Sequence, residues 1–566
     1  MFTNWRVNFL LVFFVLLGFL ITSRLFYWQI ISSESLSAIA ANQHWVSFEV
    51  PAKRGEILAS DGSPLASNKE AFLLFASLPQ INQDITDISE KLSSILESQD
   101  PATISGLIEE RLSREDLVWV PLKHKLNRSQ KEEIEVLKIA GLGFEEEQRR
   151  TYPEGSSSAH LLGFVGSDIN GKDKGYFGLE GYYDLELRGR SGLLRRERDA
   201  SGKPILIGDV YKEEEKDGRT LVTTIDRSVQ FIINDNLKKG LKKYGALSGS
   251  VVVMEPQTGA ILGMASLPAY NPGVFSDFDK ELFPNPIVSS SYEPGSTFKV
   301  LIMAAAINEG VVEPNTKCTK CSGPRVISDY TIKTWNDEYF PDSTMLEVIQ
   351  HSDNIGMIFV AEKLGIDKLV PYLKKYGFGQ KTGVDLEDET TSELRQEKDW
   401  KLIDLATVSF GQGIAITPLQ MVRAVNTIAN EGKLVKPHLV SKVIDGDEEV
   451  EIRPDIGRQV LKTKTAFVLT EMMVNAVNEG EAQWIKPEGY RIAGKTGTAQ
   501  IPVAGHYDEE KTIASFIGFA PADNPKFIML VTLREPTSSP WGAETAAPLW
   551  FDIAKELFTY YGIQPQ

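Results

Sequence analysis

Cysteine is nearly absent from the 566 residues: Cys318 and Cys321, in TKCTKCSG, are the only two, so no disulfide framework can organise the chain. Histidine is scarce too, with six scattered residues and no H-x-x-x-H pair, so the lone C-x-x-C lacks evident partners for a metal site. It reads first as a loop-stapling disulfide, with free thiols or half a metal site as alternatives. Positive charge is in deficit. Sixty Lys and Arg against 77 Asp and Glu leave a net charge of -17, which argues against nucleic acid as the main partner. Beyond the first thirty residues no segment approaches the length of apolar chain that spans a bilayer. The composition, with 42% hydrophobic residues, 45 Gly and 28 Pro, gives no sign of wholesale disorder.

One long apolar run is present. MFTNWR is followed by VNFLLVFFVLLGFLIT, Val7 to Thr22, without a charged residue, and then by Arg24. At about 1.5 Å per residue, positions 7 to 28 span a bilayer core of roughly 30 Å if Arg24 snorkels. Trp5 on one side and Phe26, Tyr27 and Trp28 on the other suit the two interfaces. The rival is a cleaved signal peptide. The A-x-A site at Ala38-Ile39-Ala40 lies too far beyond Thr22 for that, so an uncleaved single-pass anchor is expected. Arg6 favours a cytoplasmic N-side, with the bulk of the chain outside the cell (cytoplasmic, or inner) membrane.

The length exceeds one compact domain. The expected division is a cytoplasmic tip and anchor at 1–30, an N-terminal pedestal at 45–220 and a second domain at 221–566. SSESLSAIAANQHW is compatible with an amphipathic helix after the anchor. In the pedestal, the alternating runs VSFEV, AFLLFASL and LVWVPL read as strands, and ITDISEKLSSILES and SQKEEIEVLKIA as helices, giving a mixed α/β domain. The polar stretch from 200 to 220 reads as an exposed ribbon or connection. TLVTTIDRSVQFIINDNLKKGLKKYG predicts a strand and an amphipathic helix, and SGSVVVMEPQTGAILGMAS a hairpin.

SYEPGSTFKVLIMAAAINEG is unlike its surroundings. From Val300 to Ile307 it is apolar all round, as a buried helix requires, and Pro294 and Gly295 suit its start. Ser296 and Lys299 lie three residues apart at the first turn and share a face. Serine needs an adjacent base to act as a nucleophile, and a lysine desolvated at a helix start can be that base. The helix N-terminus also aims N–H groups where an oxyanion could form. Taken alone, Ser296 reads more simply as a helix cap. Two further stretches change the weight: HSDNIGMIFV supplies Ser352-Asp353-Asn354, and IAGKTGTAQI supplies Lys495-Thr496-Gly497-Thr498. YRIAGKTGTAQI, TIASFIGFA and KFIMLVTL have strand patterns, so the Lys495 ammonium and the Thr496 and Thr498 hydroxyls can face a cleft and hold a carboxylate, while Gly497 admits close approach. A second copy, Lys381-Thr382-Gly383, sits in acidic, loop-like GQKTGVDLEDE and reads as structural.

The ordered trio S-x-x-K, S-D-N and K-T-G is the signature of active-site serine penicillin-binding proteins and class A β-lactamases. Beyond the trio, the chain resembles a class B penicillin-binding protein, the monofunctional peptidoglycan transpeptidase of cell division or elongation. The resemblance includes PAKRGEILASDGSPLA, RTYPEGSSSAHLLGFVG, GLEGYYDLELRGRSG and SFGQGIAITPLQ; Ala59 and Ser60 depart from the family's usual Asp-Arg. It implies a multidomain α+β architecture: anchor, pedestal, and a C-terminal domain with an antiparallel sheet flanked by helices, as in serine β-lactamases. It implies Ser296 as nucleophile, Lys299 as base, Ser352 and Asn354 as relay and positioning groups, and Lys495, Thr496, Gly497 and Thr498 as the carboxylate-binding strand, with no metal or other cofactor. The implied partners are peptidoglycan stem peptides, β-lactams, the membrane, a polytopic peptidoglycan glycosyltransferase and other division or elongation proteins.

The nearest rival is a hydrolase, a β-lactamase or D,D-carboxypeptidase; no E-x-x-L-N segment, which would activate a deacylating water, follows Ser352. A β-lactam sensor needs more than the six residues that precede the apolar run, and a scaffold role is compatible with catalysis. No glycosyltransferase segment is expected between the anchor and Ser296.

Overall fold

The computed structural model describes residues 4–37, 45–96, 101–114, 116–169, 171–197, 210–503 and 506–565. The chain divides into two compact units, one comprising residues 1–54 and 189–218, the other 55–188 and 219–566.

The first unit carries helix α1, Trp5–Phe26, which continues into a π-turn at Tyr27–Ile31. Together these 27 residues are long and apolar enough to cross a membrane, and none is buried against protein. The Arg24 guanidinium lies over Tyr27 and Trp28, 5.6 and 4.9 Å from the ring centroids, which keeps the cation at the aromatic end of the run. A three-stranded antiparallel sheet follows, in which Gly192–Glu197 pairs with Trp45–Val50 on one side and Val210–Glu213 on the other. Residues 33–37 are helical. The rest of the stretch after the anchor, with the A-x-A site, and most of the first half of the 200–220 connection lie outside the described residues.

VSFEV is the first unit's strand Trp45–Val50, and in the second unit the other two expected strands form. AFLLFASL is the end of a longer strand, Pro64–Ser77, which pairs with Trp119–Leu126 and Leu142–Thr151. The helices Ile85–Ile95 and Arg128–Val136 start where the sequence supplies caps: Asp84 accepts from Thr86 N at 3.1 Å, and Asn127 with Gln130 forms a capping box. Phe72, Leu74, Ile88, Leu92, Val120 and Ile134 close one small core. Three of the resembling segments meet at a buried ion pair. Arg150 donates to Glu180 Oε1 at 2.6 Å and to the Gly55 carbonyl at 2.8 Å, joining RTYPEG, LEGYY and KRGEI. The strand Thr220–Thr223 pairs in parallel with Ile57–Leu58 and antiparallel with Val440–Asp445, so a single sheet draws on widely separated parts of the chain.

The remainder is an antiparallel sheet between two helical layers. Helix α2, Arg227–Tyr244, is capped by Asp226, and the hairpin β1, Ser248–Met254, and β2, Ile261–Leu267, follows it. Then come α3, Lys299–Asn308; α4, Met345–Gln350; α5, Asn354–Leu364; and α6, Thr463–Glu479. The chain ends with β3, Ala493–Val503; β4, His506–Ala520; β5, Phe527–Arg534; and α7, Ala546–Tyr560. The sheet order is β2-β1-β5-β4-β3, antiparallel throughout, with β3 at the edge. Period-two alternation assigns the two faces. Val251 and Val253 share a core with Val229, Ile233, Trp550 and Phe551 of α2 and α7; Val252 and Met254 share the other with α3, α5 and α6. Helix α3 is thus apolar all round because it is enclosed on every side.

Candidate active site

The nucleophile turn is built backbone against backbone. Gly295 has φ +56°, its N–H donates to the Gly411 carbonyl at 3.0 Å, and a Cβ there would lie 2.8 Å from the Thr498 carbonyl oxygen. A 3-10 turn, Gly295–Phe298, runs straight into α3. Thr297 Oγ1 donates to the Pro294 carbonyl at 2.7 Å, and neither the turn nor the helix is capped by a side chain. The simpler reading of Ser296 as a cap therefore fails; its side chain is half-buried at the helix mouth.

Lys299 is fully buried. Its Nζ donates to the Ser352 carbonyl, to Ser352 Oγ at 3.2 Å and to Asn354 Oδ1 at 2.8 Å. Burial, then the nearby Lys495 charge, pulls the amine down from 10.5 to about 7, against the opposing pull of Glu481 and Asp353. That displacement is a preference of about 5 kcal/mol for the neutral amine relative to water. Ser352 itself stands at φ +54°, a strained backbone for serine, which turns its carbonyl and hydroxyl onto the same amine. Asp353 caps α5 through Ile355 N at 2.8 Å, and burial raises its carboxyl. Asn354 is held from outside: its Nδ2 donates to the Lys333 carbonyl at 3.1 Å.

The third wall is β3. Lys495 is buried, which lowers its pKa while Glu481 raises it. Its Nζ donates to Thr496 Oγ1 at 2.9 Å, and Thr496 Oγ1 donates to Glu481 Oε2 at 2.5 Å. Thr498 Oγ1 accepts from Gly542 N at 2.9 Å. Gly497 is a point of close approach: a Cβ would lie 2.6 Å from Ser515 Oγ and 2.7 Å from Thr297 Cγ2. The structure therefore gathers all eight expected residues around the junction of α3, α5 and β3. Ser409 to Gly413 also arrives there, since Gly411 packs on Gly295 and Gly413 N donates to Glu293 Oε1 at 3.0 Å.

Sequence reasoning missed several contributors. Glu481 lies just past α6 with nothing in its sequence setting to mark it. Trp335 and Trp541 meet across the cleft with ring centroids 5.0 Å apart; one follows Lys333, the other precedes Gly542. The segment carrying Trp335 is stapled near its start, because Cys318 and Cys321 form a disulfide.

A serine at a helix mouth, a buried amine one turn along and an edge strand carrying a lysine and two threonines are the ingredients that acyl transfer through a serine ester requires. Comparison with known proteins fixes the family. Residues 249–558 match the penicillin binding protein transpeptidase domain, and residues 49–223 match the penicillin-binding protein dimerisation domain. The chain is 34% identical to stage V sporulation protein D of Bacillus subtilis, over 99% of this chain and 86% of that one. It is 29% identical to peptidoglycan D,D-transpeptidase FtsI of Escherichia coli, over 100% and 93%. Penicillin-binding protein 3 of Mycobacterium tuberculosis, solved with aztreonam, superimposes with a TM-score of 0.71 at 25% identity, over 92% of this chain and 98% of that one. Penicillin-binding protein 2X of Streptococcus thermophilus shares the fold with a TM-score of 0.74 over 91% and 80%, at 24% identity. The chain belongs to the class B penicillin-binding proteins.

Proposed function

We propose that Ser296 is the acylated nucleophile of the cross-linking reaction that this peptidoglycan D,D-transpeptidase performs. The observation that carries the assignment is the Lys299 amine, buried one turn along, where burial lowers its pKa to about 7 and so brings the neutral form within reach. Lys299 accepts the Ser296 proton as Oγ attacks the carbonyl of the penultimate D-Ala of a stem peptide. Asn354 fixes the amine, and the Ser352 hydroxyl passes the proton toward the leaving group. The tetrahedral oxyanion is received by the Ser296 and Thr498 N–H groups; β3 is an edge strand, so alternate N–H groups of it are not taken by β4. Lys495, Thr496, Gly497 and Thr498 form the strand that receives the terminal carboxylate. D-Ala departs with the relayed proton. An amine of a neighbouring stem then attacks the ester, gives up a proton, and frees Ser296. A β-lactam mimics the donor: its ring opens on Ser296, and the ester that forms has no departing fragment.

Among the described residues one helix, at the N-terminus, is long and apolar enough to cross a membrane, and we take it as the anchor of the chain. We place it in the inner (cytoplasmic) membrane with the N-terminus in the cytoplasm, the pedestal at 45–220 and the transpeptidase domain at 221–566. A polytopic peptidoglycan glycosyltransferase and other division or elongation proteins are its proposed partners, because new glycan strands must reach the acceptor side of this cleft. The decisive experiment is mass spectrometry of the full-length protein after penicillin treatment. The adduct is expected on the peptide containing Ser296, and Ser296→Ala lowers turnover by on the order of a thousandfold with the fold intact. An adduct on any other residue would falsify the assignment.

A further inference from the structure

The strand assigned to receive a carboxylate already has one beside it. Glu481 Oε2 accepts a hydrogen bond from the Thr496 hydroxyl at 2.5 Å and lies 4.0 Å from Lys495 Nζ. Lys495 Nζ donates in turn to Thr496 Oγ1 at 2.9 Å. A hydroxyl has one proton to give. With that O–H directed at Glu481 and the ammonium on its lone pair, Thr496 has no donor left for an incoming carboxylate. Thr498 is in the opposite condition. Its Oγ1 accepts from Gly542 N at 2.9 Å, a bond that uses a lone pair and leaves the proton available.

We infer that Glu481 is a positioning residue of this site: it directs the Thr496 proton and secures the charge of Lys495, so that the terminal carboxylate of the donor peptide is received by Lys495 and Thr498. Thr496 acts through Glu481 and not on the substrate. The inference rests on the reading of β3 as the carboxylate-binding strand and specifies which of its groups make the contact.

The surrounding charges point the same way. Lys299 on α3 feels Lys495 on β3, Glu481 after α6 and Asp353 at the head of α5. Lys495 lowers the Lys299 pKa, while Glu481 and Asp353 raise it; Glu481 also raises that of Lys495. Neutralising Glu481 therefore lets Lys299 stay unprotonated to lower pH, and loosens the proton on Lys495. These shifts report the charge of Glu481, and the coupling of Glu481 to Thr496 reports its hold on the hydroxyl.

The test uses the full-length protein in detergent, with the acylation rate by a fluorescent penicillin followed across pH, and kcat and KM measured for a D-Ala-D-Ala-terminated stem peptide. Glu481→Gln is expected to shift the acidic limb of the acylation profile downward by about half to one pH unit, and Glu481→Asp to restore it. Thr498→Val is expected to raise KM by roughly tenfold. Thr496→Val and Glu481→Gln should be non-additive, since each breaks the same bond, whereas Thr498→Val adds to either. An unmoved acidic limb in Glu481→Gln overturns the inference. So does an equal KM penalty for Thr496→Val and Thr498→Val; this arm stands if the glutamine variant fails to fold. If Lys495→Gln and Thr498→Val both leave KM unchanged, the carboxylate reading of the strand fails, whatever Glu481 does.

Discussion

Lys-Thr-Gly occurs twice in this chain, and both copies hold a carboxylate of the chain itself. At 381–383 the grip is closed. Thr382 donates its backbone N–H and its hydroxyl to Glu389 Oε1, and Gly383 N donates to Oε2 at 3.0 Å. Thr382 and Glu389 are buried, while Lys381 is left exposed. Gly383 stands at φ +79°, a turn conformation that no strand adopts. At 495–497 the backbone runs in the ladder with β4 on one side only, so the side chains and the groups on the open edge of the strand remain for a ligand. There the lysine is buried along with Thr496, and Glu481 is part-exposed, hydrogen-bonded by the Thr496 hydroxyl and 4.0 Å from the Lys495 ammonium. The same three residues make a sealed turn in one place and an edge strand, proposed above as the carboxylate site, in the other. Backbone conformation decides which, because it determines whether the N–H groups or the side chains face the carboxylate.

The largest expected difference between the copies is catalytic. Lys495→Ala should lower the acylation rate by on the order of a hundredfold, since it removes the cation of the cleft and one of the charges that keep Lys299 neutral. The rate constant for fluorescent penicillin, measured with a thermal melt to verify folding, checks it; a variant within a few-fold of the parent would erase the functional distinction. The pH profile sharpens the contrast. Lys299 is charged below about 7 and cannot then take the Ser296 proton. Acylation should therefore fall by about tenfold per pH unit on the acidic side and level off above, and a flat profile down to acid would remove Lys299 as the base. Stability is the readout for the other copy. Glu389→Ala strands two buried N–H donors and a hydroxyl, so it should destabilise the fold by about 2–3 kcal/mol while leaving the acylation rate per folded molecule near that of the parent. Denaturant melts separate the two effects.

The conformation of the two copies, strand and turn, was readable in advance because the difference is local. IAGKTGTAQI alternates and leads into further strand patterns, whereas GQKTGVDLEDE is glycine-bounded and acidic. Helix α3 was readable for a similar reason: an apolar run without a polar face has to be enclosed. What escaped were contacts made across the fold. Glu481 meets Thr496 only because α6 ends beside β3, and the Lys333 carbonyl meets Asn354 only because the stapled segment folds back over α5. The Trp335–Trp541 pair joins loops on opposite walls, and the strand Thr220–Thr223 finds partners at 57–58 and 440–445. None of these has a period or spacing that sequence can display. The cysteine pair left disulfide, thiol and metal open on spacing, and the fold resolves it by burying both sulfurs as a disulfide.

The smallest expected effect tests the comparison from its quiet side. Lys381→Ala removes the one member of the first copy that takes no part in holding Glu389, and the side chain is exposed. An exposed lysine replaced by alanine shifts stability by about 0.5 kcal/mol or less, and acylation should stay within about twofold of the parent. Paired with Lys495→Ala in the same assay, this asks whether a lysine in Lys-Thr-Gly matters by motif or by burial. If Lys381→Ala cost as much as Lys495→Ala, motif would outrank environment, and the assignment of the first copy to structure alone would have to be withdrawn.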